Sequence, residues 1–225
     1  MNTNTKDSSV LDRKNLSSGA FLNSFKDAPG IEWWSEERIE ASMQETLAQR
    51  PNGDPIWLFA YGSLICNPVF EFAENVMATL EGWHRSFCIR LVLARGSVDQ
   101  PGRMLALEPG AFTDGVALRL REEDLEQELR MVWMREMVGG VYRPEWATIT
   151  LEDGRAAQAI IFTANRESHL YESDASPNAI GPVIAVAHGS LGTNRDYVLQ
   201  LDNALRMKGI TDGYIRELAD LLAQH

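Results

Sequence analysis

The sequence predicts an α+β fold: a mainly antiparallel β-sheet or barrel around a central helix, with helices at both ends. Three observations lead there. Short apolar or alternating runs of strand length fill most of the chain after residue 55. One strongly periodic helical segment, residues 122–137, interrupts them and stops at Gly139-Gly140. Helical periodicity then reappears before the first strand and after the last.

Taken in order, residues 1–18 are polar and read as a frayed tail. Residues 35–49 read as a helix, with Ser35 as cap, Glu36 and Glu37 in the first turn, and Ile39, Met43 and Leu47 on one face. Pro51-Asn52-Gly53-Asp54-Pro55 breaks the chain, so residues 1–54 form an extension and 55–225 the main domain. The run Ile56-Trp57-Leu58-Phe59-Ala60-Tyr61-Gly62-Ser63-Leu64 is a strand that ends abruptly in Gly-Ser. Such a turn can aim backbone N–H groups at a ligand, although a plain core strand followed by a loop is the commoner case. Trp83, Phe87, Ile89 and Leu91 alternate with His84, Ser86, Cys88 and Arg90 as in a half-buried strand. Met104-Leu105-Ala106-Leu107 and Val116-Ala117-Leu118 read as two further short strands. Residues 146–151 and 156–162 flank the hairpin signal Glu152-Asp153-Gly154-Arg155. Thr193-Asn194-Arg195-Asp196 resembles a capping box for a helix with Tyr197, Leu201, Ala204 and Leu205 on one face and Gly209 closing it. A last helix carries Ile215, Leu218, Leu221 and Leu222.

Composition narrows the function classes. A formal net charge of −11 opposes general association with nucleic acid or an anionic membrane, while leaving room for an anionic small substrate in a local pocket. No run approaches the roughly 18 apolar residues of a membrane span, and the polar N-terminus lacks a signal peptide's apolar core, so a cytoplasmic protein is expected. The two cysteines, Cys66 and Cys88, lie in apolar contexts and read as buried thiols in a reducing compartment. The four histidines have no metal-ligand spacing, and neither phosphate loop nor dinucleotide fingerprint is present, so no metal or cofactor is expected.

One carboxylate stands out. At about 100° per residue, Leu125, Leu129 and Val132 share an arc, and Glu136 falls inside it. A carboxylate on a core stripe loses solvation, costing several kcal/mol unless it is paired or protonated. Glu136 therefore either pairs with a buried arginine or serves as a general acid/base with a pKa raised by burial. Other candidates divide less clearly. Ser63 has neither a Gly-x-Ser-x-Gly context nor an evident His/Asp partner. Arg103, after Pro101-Gly102, either meets a substrate carboxylate or is an ordinary loop arginine. Tyr197 fits a core tyrosine with a satisfied hydroxyl.

The chain strongly resembles the ChaC-like family, the glutathione-specific γ-glutamylcyclotransferases. The motifs that carry the resemblance appear in order: Trp57 to Ile65, Pro101-Gly102-Arg103, Gly115-Val116-Ala117, Arg135-Glu136-Met137-Val138-Gly139-Gly140-Val141-Tyr142, and Gly192-Thr193-Asn194 with Tyr197. They cover about residues 55–210, and bacterial members also carry a helical extension like residues 20–50. The resemblance implies that Leu58, Phe59, Ala60, Tyr61, Gly62 and Ser63 hold the γ-glutamyl group, with Leu64, Arg103 and Tyr197 as further candidates. It implies that Glu136 is the catalytic acid/base. Two departures are Ala60, where the family usually has glycine, and Cys66, where it often has an aromatic. The implied reaction converts glutathione to 5-oxoproline and cysteinylglycine without a cofactor, metal or obligate protein partner. Alternatives are a cyclotransferase acting on other γ-glutamyl amino acids or amines, and a non-catalytic γ-glutamyl or peptide binding module.

Overall fold

The computed structural model describes residues 13–18, 20–23, 32–51 and 55–224. Of the expected frayed tail over residues 1–18, residues 1–12 lie outside the described residues, as do residues 52–54 at the centre of the break, whereas residues 13–17 form a helix instead of a frayed end. Two short helices, α1 (Arg13–Ser17) and α2 (Ala20–Asn23), precede α3 (Glu36–Ala48). Ser35 caps α3 as expected, its hydroxyl accepting from the Arg38 N–H, and Ile39 and Met43 are buried.

The sheet is a closed barrel of five strands in the order β1-β3-β2-β4-β5. These are β1 (Trp57–Ala60), β2 (Glu74–Leu91), β3 (Gly102–Arg119), β4 (Tyr142–Leu151) and β5 (Ala156–Ala164). Successive strands in this order pair antiparallel; β5 closes the barrel in parallel, on β1 through Trp57↔Ala159 and Leu58↔Ile160 and on β3 through Leu107↔Thr163. Closure leaves β1 hydrogen-bonded on both edges. All four of its residues are buried, which is why it reads as a continuous apolar run rather than an alternation.

Three expectations need correction. The two short strands around residues 104–107 and 116–118 are one 18-residue strand, β3, and the strand ending at Leu91 starts as early as Glu74. Together β2 and β3 form a long hairpin with register shifts at Glu81/Trp83 and Ser86/Ile89. The exposed Glu81, Phe112 and neighbours give its middle the look of a loop. The half-buried reading of β2 also fails over residues 85–89, which are buried on both faces. Phe87 packs on Tyr197 and Tyr214, whereas Ser86 donates to the buried Glu108 beneath Tyr171 and Arg166.

The central helix α4 (Leu125–Glu136) follows a 3₁₀ turn at Glu122–Asp124. Its Leu129 and Val132 are fully buried as the helical phase requires, but the burial extends well beyond one stripe. Trp133, with 0% exposure, stacks edge-on against Phe162 of β5 and points its indole Nε1 at the Ser42 hydroxyl of α3. Helix α4 thus lies between the barrel and the N-terminal helices. Gly140, at φ +60°, ends this region in the left-handed conformation, and a Cβ there would meet the Trp34 indole at 2.4 Å.

After β5 comes α5 (Pro177–Val186), whose apolar run was not recognised as helix. A small ribbon, β6 (His188–Gly189) with β7 (Gly192–Thr193), leads into α6 (Asn194–Met207) and α7 (Gly213–Ala223). Thr193 caps α6 as predicted, accepting from Asp196 N at 3.0 Å. No helix among the described residues is long and apolar enough to cross a membrane. Trp133→Ala should destabilise the fold by about 3–5 kcal/mol, because it opens a cavity between α4, β5 and α3. Its urea midpoint should fall with the m-value unchanged.

Candidate active site

Strand β1 delivers the chain into a sharp turn at the barrel's end. Leu58, Phe59 and Ala60 are fully buried within β1 and line neither the small pocket nor the larger cleft beside it; they anchor the turn to the barrel. The turn then winds into a 3₁₀ helix, Ser63–Ile65, in which Ile65 donates to the Gly62 carbonyl and Cys66 and Asn67 to that of Ser63. The N–H groups of Ser63 and Leu64 take no part in these bonds, as expected for the first residues of a helical turn. Gly62 fits closely here: a Cβ would stand 3.1 Å from Leu105 and 3.7 Å from the Tyr197 hydroxyl.

Beneath the turn lies a small pocket. Tyr61, Gly62, Ser63 and Leu64 form one side, with Glu136 beside them and Leu105, Tyr142, Phe162 and Tyr197 completing the wall. Tyr61 donates to Phe162 O and Tyr142 to Leu105 O, each at 2.7 Å, so both rings are locked to the barrel backbone. Burial holds both phenols well above their ordinary range. Tyr197, on the first turn of α6, is pushed up to about 12 by burial and by the nearby Glu136 carboxylate.

Glu136 is the last residue of α4, its side chain 14% exposed. Arg135 Nε lies 3.1 Å from Glu136 Oε1 without making a hydrogen bond, and Oε1 is buried with no hydrogen-bond partner among the described residues. The guanidinium is committed elsewhere: Nη1 donates to Asn67 O at 2.6 Å and Nη2 to Ser63 Oγ at 2.7 Å. Burial therefore raises the Glu136 pKa, and the charge of Arg135 only partly opposes it. A helix C-terminus adds to the effect, since its partial negative charge disfavours an anion.

Glu128, two turns earlier, makes the control. It is buried, at 2% exposure. Burial pushes its pKa up, but two bonds from Arg13 (2.6 and 2.7 Å) and one from Glu71 N (2.7 Å) outweigh this and hold it low. Neither carboxylate is ordinary surface charge; only Glu136 is left without a donor of its own.

The remaining predicted residues separate. Arg103 does not line the pocket. Its backbone is clamped by Asn194, which accepts from Arg103 N at 2.7 Å and donates to Arg103 O at 2.9 Å, and its side chain pairs with Glu172. The Pro-Gly-Arg and Gly-Thr-Asn motifs thus dock α6 onto β3. Cys66 is exposed rather than buried, because it follows the turn onto the rim of a larger cleft. Among the described residues, no cluster of His, Cys, Asp and Glu could hold a metal ion.

One supporting residue escaped the sequence reading. Arg85 is 1% exposed and donates to Tyr61 O at 2.7 Å, Asp114 O at 2.6 Å and Asp212 Oδ2 at 2.8 Å. The peptide is trans, so fixing the Tyr61 carbonyl on Arg85 turns the Gly62 N–H to the opposite side. A signal was available: Arg85 sits on the apolar phase of β2, between Trp83 and Phe87.

A closed barrel that presents a backbone turn to an under-partnered carboxylate belongs to the γ-glutamylcyclotransferase-like folds. A yeast glutathione-specific γ-glutamylcyclotransferase superposes with a TM-score of 0.69 at 20% identity, covering 76% of this chain and 97% of that one. The family model described as ChaC-like protein matches residues 56–225. The chain therefore belongs to the ChaC-like family. It is 49% identical over 185 residues to the glutathione-specific γ-glutamylcyclotransferase of Escherichia coli (strain K12), across 82% of this chain and 80% of that protein. The human glutathione-specific γ-glutamylcyclotransferase 1 is 30% identical over 166 residues, 71% of this chain and 75% of its own length.

Arg85→Met, which removes the donors from Tyr61, Asp114 and Asp212, should cost about 3–5 kcal/mol of stability in urea titrations.

Proposed function

We propose that this chain is a glutathione-specific γ-glutamylcyclotransferase, with residues 55–225 as its catalytic unit and Glu136 as its acid/base. One observation carries the assignment of roles: a buried carboxylate oxygen with no hydrogen-bond partner shares a small pocket with the Tyr61–Leu64 turn. The 49% identity to the E. coli enzyme supports the same substrate.

The reaction is intramolecular. The α-amine of the γ-glutamyl residue attacks its own γ-carbonyl, a C–N bond closes the five-membered lactam, and the bond to the cysteine nitrogen breaks. The products are 5-oxoproline and cysteinylglycine. Nucleophile and electrophile belong to one molecule, so holding the arm folded supplies much of the rate. The pocket's locked tyrosine rings and its small volume suit that task.

Protons are the second task. The α-ammonium, ordinarily with a pKa of about 8, must lose one, and the leaving amine must gain one. Glu136 accepts the first and returns the second. Raising its pKa narrows the gap to the amine, and each unit gained removes about 1.4 kcal/mol of uphill transfer. The tetrahedral oxyanion is stabilised by N–H groups of the Gly62–Leu64 turn, held in place by Arg85 and by Arg135 on Ser63. Ser63 is then an acceptor for Arg135 rather than a nucleophile, because the substrate brings its own. The reaction needs no second protein, and we place it in the cytoplasm, where glutathione is kept as the thiol.

Glu136→Gln should lower 5-oxoproline release from glutathione by at least about 100-fold with the circular dichroism spectrum unchanged. Turnover near that of the parent would remove Glu136 from the mechanism. The same variant tests the burial argument. A carboxyl whose pKa is raised in the fold binds its proton more tightly folded than unfolded, so ionising it costs stability as pH rises above the ordinary 4.5. Glu136→Gln should therefore be more stable than the parent at neutral pH. The difference should shrink to nothing as pH falls below the ordinary carboxyl range.

A further inference from the structure

The small pocket accounts for the γ-glutamyl arm and leaves the rest of the substrate unexplained. It opens into a cleft of about 770 Å³ that shares Ser63, Glu136, Tyr142 and Tyr197 with it. Three arginines line this cleft: Arg90, Arg95 and Arg135. Arg135 lies against Glu136, and Arg90 comes within 4.0 Å of Glu172. Among the described residues no carboxylate pairs with Arg95. Its guanidinium is held instead by two neutral acceptors, Thr193 O at 3.1 Å from the cap of α6 and Gln200 Oε1 at 3.3 Å from its second turn. A guanidinium has five N–H donors, so this bracing fixes Arg95 without saturating or neutralising it.

The loop that carries Arg95 is itself fixed. Ala94 sits at φ +61°, a left-handed conformation that costs a non-glycine residue about 1 kcal/mol or more. Its carbonyl accepts from Leu191 N at 2.7 Å, and Gly189 packs so closely that a Cβ would stand 2.4 Å from it. Strain held in place by such contacts aims the next side chain.

Resting on the reading of the chain as a glutathione cyclotransferase, we infer that Arg95 is the specificity residue that binds the glycine carboxylate of glutathione. The span agrees. The Arg95 guanidinium carbon lies 5.8 Å from the centre of the Tyr197 ring, and Tyr197 reaches the small pocket beside Gly62. Two residues, cysteine and glycine, separate the γ-carbonyl from the terminal carboxylate and extend at most about 7 Å. A γ-glutamyl amino acid carries its carboxylate one residue, about 3.5 Å, nearer the γ-carbonyl and falls short of the arginine. Arg95 thus measures the length of the substrate as well as its charge.

The test uses steady-state release of 5-oxoproline by the full chain and its Arg95→Gln and Arg95→Lys variants. The substrates are glutathione and its glycine monoethyl ester. Arg95→Gln should lower kcat/KM for glutathione roughly 10- to 100-fold, mainly through KM. The parent should lose a similar factor on the ester, and the variant should lose less than about threefold more there, because the pair is already broken. Arg95→Lys should recover part of the loss on glutathione, and thermal midpoints of both variants should match the parent. An equal loss on both substrates, or a parent that does not distinguish them, overturns the role of Arg95 while leaving the cyclotransferase reading standing. A parent that releases no 5-oxoproline from either substrate overturns that reading, and this inference with it.

Discussion

The structure is organised around one unfavourable burial: the carboxyl of Glu136, at the C-terminal end of a helix and without a hydrogen-bond donor of its own. Three effects act together. Desolvation disfavours the anion, the helix terminus repels it, and the adjacent guanidinium that would relieve both is drawn off to Asn67 and Ser63. Glu128 shows that the same helix can bury a carboxyl and keep it low when the donors are supplied. The difference between the two is a matter of partners, not of burial. Such a carboxyl persists only if its surroundings cannot relax towards it, so the barrel, the tyrosine rings and the flanking helices must be stiff.

The stiffness comes from side chains that grip backbone. Tyr61 and Tyr142 each donate to a barrel carbonyl, Asn194 holds both polar groups of Arg103, and Arg85 holds carbonyls of the turn and of β3. Backbone acceptors cannot swing away as side-chain acceptors can, so these bonds position as well as stabilise. Arg85 also reaches Asp212, whose other oxygen caps α7 by accepting from Ile215 N at 3.0 Å. The cap of α7 and the turn at the end of β1 are therefore joined through one buried guanidinium.

Much of this was legible in the chain, and the failures share a cause. The abrupt end of the apolar run at Gly62, the inward phase of Glu136 and the stop at Gly140 are local signals, set by chain geometry within a few residues. What the reading missed depends on partners far away in sequence. Glu128 is paired by Arg13, and Arg85 by Asp212, residues more than 100 positions distant. The long β2–β3 hairpin looked like separate short strands because its middle is exposed, and exposed strand text resembles loop. Helix α5 went unread because its run holds two prolines and a glycine, which normally break a helix; Pro177 occupies the first turn, where a missing N–H costs nothing. Arg85 was the recoverable miss, since a charge on the apolar phase of a strand is the same anomaly that identified Glu136.

A self-cyclising substrate changes what an enzyme must select for. Any γ-glutamyl compound carries the reacting amine and carbonyl, so the acid/base role we propose for Glu136 cannot by itself tell glutathione from a shorter relative. Discrimination must come from beyond the scissile bond, where binding energy at a distant group can be used to hold the arm in its reactive fold. The N-terminal half of α6, with its cap, is built for that division of labour. Asn194 fixes the helix to β3, Tyr197 walls the pocket beside Gly62, and Thr193 and Gln200 brace Arg95 in the outer cleft. With Glu136 and Arg95 in the roles proposed, one rigid element sets the distance between the reacting end of the substrate and its far carboxylate, and that distance is a property the shorter compounds cannot imitate.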